Sequence, residues 1–317
     1  MVKGNNNKPL VSIGIPTYNR AHCIGKTIDS ILRQNYENIE LIVSDNASND
    51  GTEELMEEYV KKDPRIRYVR QEKNLGPYPN FEACRMLAKG RYFMWVASDD
   101  ELAPNVLNSY VFFLEAHQEY VTVMGKINYW EKGKIKYCEE GLSLEDEDPA
   151  KRVQTYYSKV VQGALLYGLH RNAWIRKNPI RTNLAGDWHF IAANAFVGKI
   201  KNLDVVGYDK TYEGGISGGS GFPRLVKILG LHVIWGRIPF IRISIETFWV
   251  IFKSFSVYKA LSSSQRLGLG IRCALSVFFH YYVNFYPLIL GARLLRFLRL
   301  PTRSEWRERK ELKSESI

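Results

Sequence analysis

Three acidic residues follow a strongly apolar stretch of the chain. Residues 92–97 read YFMWVA, and Ser98, Asp99, Asp100 and Glu101 come next. Burying the apolar run stabilises a fold, whereas carboxylates crowded at its end repel one another unless a cation neutralises them. The pattern therefore indicates a cation-binding site or, alternatively, an acidic turn that faces solvent.

The run that positions these acids belongs to a regular alternation of strands and helices. Apolar residues at helical spacing predict helices, one opened by a capping box of Asp50 and Glu53 and one over residues 79–90. Apolar runs between them predict strands over residues 10–16, 39–45, 66–71 and 92–97. Short connections in such an alternation predict a parallel sheet with helices on both faces.

Polar residues follow three of these predicted strands. In open parallel sheets, ligands bind beyond the carboxyl ends of the strands. The residues that we expect along that edge are Pro16, Thr17, Tyr18, Asn19, Asp45, Asn46, Ser98, Asp99 and Asp100. Three clusters that are distant in sequence and converge on one edge are a stronger signal than any one of them.

The combined pattern resembles the family 2 glycosyltransferases of GT-A fold. The resemblance is carried by VSIGIPTYNRAHCIGKTIDSILRQNYENIELIVSDNASNDGT, EKNLG and GRYFMWVASDDELAPN; it is dense over residues 9–120 and thinner to about residue 215. It implies an α/β fold of GT-A type, which is Rossmann-like with a mostly parallel central sheet and helices on both faces. It also implies a nucleotide-sugar donor, a divalent metal and inversion at the anomeric carbon.

The resemblance gives the acids of residues 99–100 a role. A nucleoside diphosphate is negatively charged, and Mn²⁺ or Mg²⁺ placed between it and carboxylates reverses the local sign. By resemblance Asp100 is the metal ligand, and Asp99 contacts the ribose or assists the metal. The family's pattern is often Asp-x-Asp-Asp, and Ala97 stands at its first position here.

The resemblance also assigns residues to the nucleotide. Asp45 resembles the aspartate that accepts a hydrogen bond from the base, usually uracil; alternatively, Asp45 and Asn46 cap the next turn. The other residues that the resemblance places at the nucleotide are Pro16, Thr17, Tyr18, Asn19, Asn74, Ser98 and Asp99, with Asn80 as a further candidate.

An inverting transferase needs one carboxylate that takes the proton of the attacking hydroxyl. Residues 151–200 contain one acid, Asp187, and two histidines, His170 and His189. Asp187 resembles the second residue of the family's Glu-Asp segment, with Gly186 in place of the glutamate, so we assign it as the general base. The alternative is that Asp187 caps the helix that follows.

Two further candidates lie in the stretch GALLYGLHRNAWI, residues 163–175. This stretch resembles the one that precedes the base, and Arg171 and Tyr167 are the candidates for contact with the acceptor or the diphosphate. Arg171 is equally suited to pairing with a surface acid. The glycine-rich segment 212–222 is interpreted as a loop that closes over the sugar donor, or as a hinge.

Charge is distributed very unevenly along the chain. Residues 1–150 hold 18 Lys and Arg against 24 Asp and Glu, whereas residues 151–317 hold 26 against 9. Such a basic surface needs an anionic neighbour. Since no helix-turn-helix, RRM or zinc-finger pattern is visible, we expect a membrane and no nucleic acid. Four cysteines without a CxxC pair predict reduced thiols, and the first residues lack the apolar core of a secretory signal.

The basic excess is concentrated in residues 221–304, where 12 Lys and Arg face one acid amid many aromatic residues. This combination is typical of a membrane interface. Residues 273–292 lack Lys, Arg, Asp and Glu; an interfacial or re-entrant helical pair, a membrane span and a soluble helical subdomain are the three alternatives. The side chains that we expect at anionic lipids are Trp235, Trp249, Arg293, Arg296 and Arg299.

The sequence thus predicts a GT-A catalytic domain over residues 1–220 and a basic helical membrane-associating region over residues 221–317. We expect inverting transfer of a sugar from a nucleotide-diphosphate donor, UDP-linked, to a hydroxyl of a lipid-linked or membrane-proximal glycan. The expected place is the cytoplasmic face of a membrane, on its surface rather than across it. The alternatives are a sugar nucleotidyltransferase and a non-catalytic membrane adaptor. No oligomeric state is predicted.

Overall fold

The four strands predicted in the first hundred residues form one half of the sheet. In the computed structural model, which describes residues 8–160, 164–211 and 221–285, they are β1 (Val11–Thr17), β2 (Ile39–Asp45), β3 (Ile66–Arg70) and β4 (Tyr92–Trp95). They pair in parallel in the order β3-β2-β1-β4. The residues of β1, β2 and β4 are almost completely buried, as expected for a parallel sheet covered on both faces.

Helices α1 (Ile24–Leu32), α2 (Thr52–Lys62) and α3 (Pro77–Leu87) connect these strands. The predicted capping box of α2 is wrong, because Gly51, with φ 90°, is the N-cap residue. Asp50 instead accepts hydrogen bonds from the backbone N–H of Ala21 (3.0 Å) and of Thr52 (3.2 Å). Asp50 therefore ties the loop after β1 to the start of α2.

The second half of the sheet mixes strand directions. Strands β5 (Asp100–Leu102), β6 (Tyr120–Glu131), β8 (Leu169–Arg171) and β9 (Lys199–Thr211) extend the order to β3-β2-β1-β4-β8-β6-β9-β5, and β7 (Lys134–Glu139) pairs with β6. Strands β6 and β9 run in the direction of β1–β4, so six of the nine strands in the described ranges point the same way. The prediction of a mostly parallel sheet in an α/β fold is confirmed.

The helices of this half are α4 (Val106–Ala116), α5 (Pro149–Lys159), α6 (Asn172–Ile175) and α7 (Gly186–Val197), with a short 3₁₀ helix at Ala164–Tyr167. Helix α7 packs against α5, β6 and β9 and is buried over nearly its whole length. A helix buried on every side has little freedom to shift, so the fold fixes the position of Asp187 in its first turn.

The described part of the chain after the glycine-rich segment is helical. Its elements are α8 (Gly221–Ile228), α9 (Ile234–Arg237), α10 (Pro239–Trp249) and α11 (Ser263–Phe279), with π-helical turns at Val250–Ser254 and His280–Phe285 and a 3₁₀ helix at Ser256–Ala260. Within the described ranges, none of the helices combines the length and the apolar character needed to cross a bilayer. Arg293, Arg296 and Arg299 and most of the glycine-rich segment lie outside the described residues.

Helices α10 and α11 share the core of the catalytic part. Glu246 Oε2 accepts from the backbone N–H of Leu184 (3.1 Å), and the Tyr281 hydroxyl donates to the carbonyl of Val160 (2.7 Å). The Tyr281 ring also stacks on Trp188 in α7, with 5.6 Å between centroids. These contacts cross the predicted boundary between residues 220 and 221. Removing residues 221–285 would therefore expose part of the core of the catalytic part.

Candidate active site

The loops that follow β1 and β2 are joined by hydrogen bonds. The N–H of Asn46 donates to the carbonyl of Thr17 (2.9 Å). The N–H of Asn19 donates to Ser48 Oγ (2.8 Å), and Asn19 Oδ1 accepts from the N–H of Asn49 (3.0 Å). Asn19 has a φ of 54°, a left-handed conformation that asparagine tolerates well. Two of the three predicted polar clusters therefore form one continuous rim at the sheet edge.

Asn74 joins this rim through Asn46, as its predicted place at the nucleotide requires. Asn46 Nδ2 donates to Asn74 Oδ1 (2.8 Å), and Asn46 Oδ1 accepts from the N–H of Leu75 (2.8 Å). Tyr18 is exposed at the rim, whereas Pro16 and Ser98 are buried beside it. The structure thus brings the predicted nucleotide residues of three separate segments together.

Asn80 has a different place from the one predicted. Its side chain is buried, and Nδ2 donates to the carbonyls of Thr17 (3.2 Å) and Ser44 (3.0 Å). Asn80 therefore joins the ends of β1 and β2 and is buried, so its side chain does not line the rim.

Asp45 is fully buried at the end of β2. Its Oδ1 accepts from the N–H of Ser48 (3.0 Å), and its Oδ2 accepts from the Tyr68 hydroxyl (2.6 Å). This is the turn-capping arrangement given above as the alternative for Asp45. Recognition of a base by the same carboxylate stays a prediction, and it would have to use the lone pairs that these contacts leave.

Asp99 and Asp100 lie where β4 ends and β5 begins. Asp99 is partly exposed, and its Oδ2 is 4.0 Å from Arg20 Nη2. Asp100 is buried, and its Oδ2 is 2.8 Å from Nζ of Lys210 in β9, which lies opposite Asp100 in the antiparallel pairing of the two strands. Burial raises the pKa of Asp100, and the Lys210 ammonium opposes that rise.

The two aspartates fit a divalent ion that arrives with a phosphate group. Asp100 Oδ2 is buried and faces the Lys210 ammonium, 2.8 Å away, and the described residues place no other donor on it. The described residues contain no cluster of three or more His, Cys, Asp or Glu side chains able to hold an ion by themselves. Mg²⁺ is commonly held by one or two carboxylates together with substrate phosphates, and Asp99 and Asp100 suit that arrangement better than a closed protein cage.

Asp187 lies in the first turn of α7 and is partly accessible. The N-cap residue is Ala185, so the alternative N-cap role of Asp187 is not the one observed. Burial raises the pKa of the Asp187 carboxyl to about 6, although the backbone N–H groups of residues 187 and 188 oppose the rise. A carboxylate with a pKa near neutrality is a suitable general base, because it is ionised at pH 7 and still basic enough to take a proton.

Gly186 fixes the backbone directly before this carboxylate. A Cβ at this position would lie 2.0 Å from the carbonyl oxygen of Arg181 and 3.2 Å from the ring of Tyr78. Any side chain is therefore excluded unless the backbone moves. This chain has Gly186 where the family has a glutamate, and the close approach of the Arg181 carbonyl explains why a glutamate side chain would not fit here.

Tyr167 connects the two groups of acids. The negative charges of Asp100, Asp187 and Asp99 all raise the pKa of its hydroxyl, in addition to the effect of burial. The buried Tyr208 hydroxyl holds this segment in place by donating to the carbonyl of Tyr167 (2.6 Å), and it is also 3.1 Å from the carbonyl of Trp95 at the end of β4. Lys210 Nζ, which pairs with Asp100, also lies 4.3 Å from the centroid of the Tyr167 ring, and the 3₁₀ helix that ends at Tyr167 packs against α7, which holds Asp187. The role of Tyr167 at the acceptor or the diphosphate stays a prediction.

Arg171 is not part of this arrangement. It lies at the opposite end of β4, where it pairs with Tyr92, and its guanidinium is buried. Nε donates to the carbonyl of Tyr120 (2.7 Å), and Nη2 donates to the carbonyls of Leu114 and His117. The prediction that Arg171 contacts the acceptor or the diphosphate is wrong, because these carbonyls hold it at the far edge of the sheet.

Replacing Arg171 by methionine should lower the free energy of unfolding by about 3 kcal/mol, because three backbone carbonyls lose a charged hydrogen-bond donor. Urea unfolding measures the change, and Lys177→Met, at an exposed position nearby, serves as the matched control. A variant with wild-type stability and lost nucleotide binding would contradict the structural role.

Three residues of the site carried no local signal in the sequence. Arg20 follows a recognised motif, but its contact with Asp99 depends on the fold of two loops. Tyr78 is brought to Asp187 by α3, and the charge of Asp187 raises the pKa of its hydroxyl. Lys210 faces Asp100 only because β9 pairs with β5, a register that no sequence pattern announces.

The family is decided by a match of residues 12–182, just over half of the chain, to the model of glycosyl transferase family 2. The chain belongs to this family. The family is one of glycosyltransferases, which argues against the sugar nucleotidyltransferase.

Curated relatives of this glycosyltransferase match it over part of their length. It is 33% identical over 159 residues to WcaA of Escherichia coli, a protein whose name assigns it to colanic acid biosynthesis, covering 49% of this chain and 55% of WcaA. It is 31% identical over 140 residues to the GalNAc(5)-diNAcBac-PP-undecaprenol beta-1,3-glucosyltransferase of Campylobacter jejuni, covering 44% of this chain and 45% of that enzyme. The chain thus spans about half the length of the curated relatives it matches.

Solved structures share the fold of this glycosyltransferase. TarS 1-349 of S. aureus, in complex with UDP-GlcNAc, superposes with a TM-score of 0.62 at 17% identity, covering 86% of this chain and 73% of TarS. The mannosyltransferase PcManGT of Pyrobaculum calidifontis, in complex with GDP-Man and Mn²⁺, gives a TM-score of 0.53 at 17% identity, covering 91% and 81%. The predicted GT-A fold is confirmed.

Proposed function

We propose that this protein transfers a sugar, with inversion, from a nucleotide-diphosphate donor to a hydroxyl of a lipid-linked or membrane-proximal glycan, within polysaccharide biosynthesis. The observation that carries the proposal is that Tyr167 lies beside both groups of acids: Lys210, the partner of Asp100, lies 4.3 Å from the centroid of its ring, and the 3₁₀ helix that ends at Tyr167 packs against α7, which holds Asp187. A base on one side of a bound sugar and a diphosphate site on the other are what a direct displacement requires.

The residues divide the reaction between them. The rim of Thr17, Asn19 and Asn74 binds and orients the nucleotide. Asp187 accepts the proton of the acceptor hydroxyl as its oxygen bonds to the anomeric carbon, and the bond to the diphosphate oxygen breaks on the opposite face of the sugar. Asp100 and Asp99 would hold a divalent ion, Mn²⁺ or Mg²⁺, which supplies neutralisation of the charge that develops on the leaving diphosphate.

Similar proteins support the choice of substrates. TarS is solved with UDP-GlcNAc, PcManGT with GDP-Man and Mn²⁺, and the name of the Campylobacter relative describes transfer to an undecaprenol-linked glycan. A UDP-linked sugar and a lipid-linked acceptor are therefore the first substrates to test on this chain.

A thermal-shift screen tests the proposed function directly. UDP- and GDP-sugars are added with Mn²⁺, with Mg²⁺ or with EDTA, and the nucleotides that stabilise the protein are carried into transfer assays with undecaprenol-linked glycans. A sugar donor present at 100 times its dissociation constant adds about 2.7 kcal/mol of stability. The proposal fails if no nucleotide sugar stabilises the protein and none is consumed.

The rate of transfer should rise with pH, reach half of its maximum near pH 6 and level off above about pH 7. The reason is that Asp187 has a raised pKa of about 6 and acts only when it is ionised, so acid removes the base. The hydroxyls that feel its charge have raised pKa values and stay neutral over this range; they belong to Tyr78, Tyr156, Tyr167 and Tyr281. Initial rates between pH 5 and 8 with saturating donor measure the profile, and a flat or falling profile would contradict the role of Asp187.

We place the enzyme at the cytoplasmic face of a membrane, on an apolar surface formed by α10 and α11. One side of α11 contributes Leu269, Cys273 and Val277 to the core. Its other side exposes a continuous apolar stripe, with residues between 37% and 53% exposed: Leu267, Ile271, Leu275, Phe278 and Phe279. An exposed apolar stripe of this kind is expected to be covered by protein or lipid.

Helix α10 adds aromatic and cationic character to this surface. Ile245 and Trp249 are about half exposed, and Trp249 packs edge-on against Phe248. Gly270 of α11 approaches Phe248 closely, which joins the two helices. Trp235 is partly covered and lies beneath the guanidinium of Arg242, 5.4 Å away, so its contact with lipid stays a prediction. With 12 Lys and Arg against one acid over residues 221–304, the occupant that best complements the surface is an anionic lipid bilayer.

A further inference from the structure

Lys210 is the cation in contact with the carboxylate that resembles the metal ligand. Its Nζ lies 2.8 Å from Asp100 Oδ2, and its side chain is 15% exposed. The ammonium also lies over the ring of Tyr167, with 4.3 Å to the ring centroid, and 5.8 Å from the centroid of Tyr208. Lys210 is therefore held within the site, between the predicted metal ligands and the tyrosine that faces the predicted base.

Stability does not explain this arrangement. A buried ion pair repays little more than the cost of removing both charges from water, and apolar residues of similar size often serve a fold as well. An apolar side chain in place of Lys210 could pack against the rings of Tyr167 and Tyr208, which already contact the ammonium. The pair is better explained if the Lys210 ammonium interacts with a strongly anionic group when that group binds at this site.

The ammonium suits a phosphate group chemically. It has three N–H donors on a flexible stem, and lysine binds phosphate as a point charge. Only Asp100 provides an anionic partner to Lys210 among the residues that the structure describes. Arg20, the other cation near these acids, is 4.0 Å from Asp99 and more exposed, so it marks the outer side of the same site.

We propose that Lys210 is the resident cation of the sugar-donor site: it neutralises Asp100 before the donor binds and pairs with a phosphate group of the bound donor. This inference rests on the proposed function for the identity of the diphosphate. It has two consequences. The protein without nucleotide binds divalent ions weakly, because the ammonium already holds the carboxylate. The protein without metal retains measurable affinity for a nucleoside diphosphate.

The first measurement uses Mn²⁺ alone, at pH 8, with free Mn²⁺ followed by electron paramagnetic resonance. Lys210→Met should bind Mn²⁺ about tenfold more tightly than the wild type, because a positive charge next to the binding carboxylate is gone. Lys201→Met is the matched control, since Lys201 lies on the same strand and pairs with Glu145 at 2.9 Å, away from the site. Equal Mn²⁺ affinity in Lys210→Met and the wild type would overturn the proposal.

The second measurement uses UDP in EDTA, by isothermal titration calorimetry, with GDP as the alternative probe. Lys210→Met should bind the nucleotide about tenfold more weakly than the wild type, and Lys210→Arg should retain binding. If Lys210→Met unfolds, Asp100→Asn and the double variant Asp100→Asn with Lys210→Met replace it, since the double variant leaves no unpaired charge. Equal nucleotide affinity of these two variants overturns the proposal.

The two arms separate this proposal from the function on which it rests. Mn²⁺ binding needs neither a sugar nor an acceptor. If Lys210→Met changes the Mn²⁺ affinity but the wild type transfers no sugar, the proposed reaction is rejected and the role of Lys210 beside Asp100 is retained. Normal transfer by the wild type together with unchanged binding in both arms would keep the reaction and reject the role of Lys210.

Discussion

Asp187→Asn is expected to lower the rate of sugar transfer by about 10²–10⁴-fold, the usual contribution of a general base. Asparagine has the same shape as aspartate but cannot accept the proton of the acceptor hydroxyl. Affinity for the nucleotide sugar should stay within about twofold, because Asp187 is not among the residues of the nucleotide rim. Transfer assays with saturating donor and acceptor measure the first effect, and calorimetry with the donor measures the second.

The stability of the variant distinguishes a base from a structural residue. Burial raises the pKa of Asp187, which means that the fold disfavours its charge, and a neutral amide should leave the melting temperature equal or higher. Asp204→Asn is the control, because Asp204 is an exposed acid that pairs with Lys126. Full activity in Asp187→Asn would move the base elsewhere, and a lowered melting temperature with proportionate loss of activity would indicate a structural role.

The triple variant Ile271→Asn, Leu275→Asn and Phe279→Asn should lose binding to anionic vesicles by about two orders of magnitude. Burying a large apolar side chain contributes about 1.5–3 kcal/mol, and side chains that are about half exposed before docking gain roughly 1 kcal/mol each. Asparagine adds no charge, so electrostatic attraction is unchanged. Flotation with vesicles that contain phosphatidylglycerol measures the bound fraction as a function of lipid concentration.

A second triple variant removes exposed apolar groups from other faces of the protein. Val60, Met86 and Phe112 lie on α2, α3 and α4, and their replacement by asparagine should leave vesicle binding unchanged. Equal vesicle binding by the α11 variant and the wild type would show that the apolar stripe does not meet lipid. Equal weakening in both triple variants would indicate a general loss of surface hydrophobicity.

The sequence predicted the parts of the site that depend on local pattern. The strand ends at Thr17, Asp45 and Trp95 follow from apolar runs, and the topology of a parallel sheet brings such ends together. The family pattern predicted Asp187 directly before a helix, and the structure places it in the first turn of α7. These features need only short-range order and a known sheet direction.

The contacts that the sequence missed depend on pairing across the fold. Lys210 meets Asp100 through the register of β5 and β9. Arg171 meets carbonyls of α4 and β6, which neither its neighbours nor its charge indicate. The sequence did not indicate which residues of α11 face the core, since Leu269 and Ile271 read alike in the sequence while one lies in the core and the other on the surface.

The hydrogen bond between Glu246 Oε2 and the N–H of Leu184 joins α10 to the chain that leads into α7. Helix α10 exposes Trp249 on its outer side. On its inner side, Glu246 accepts the hydrogen bond from Leu184, two residues before α7 begins at Gly186. The exposed ring of Trp249 and the first turn of α7, which holds Asp187, are therefore joined through one helix and one hydrogen bond.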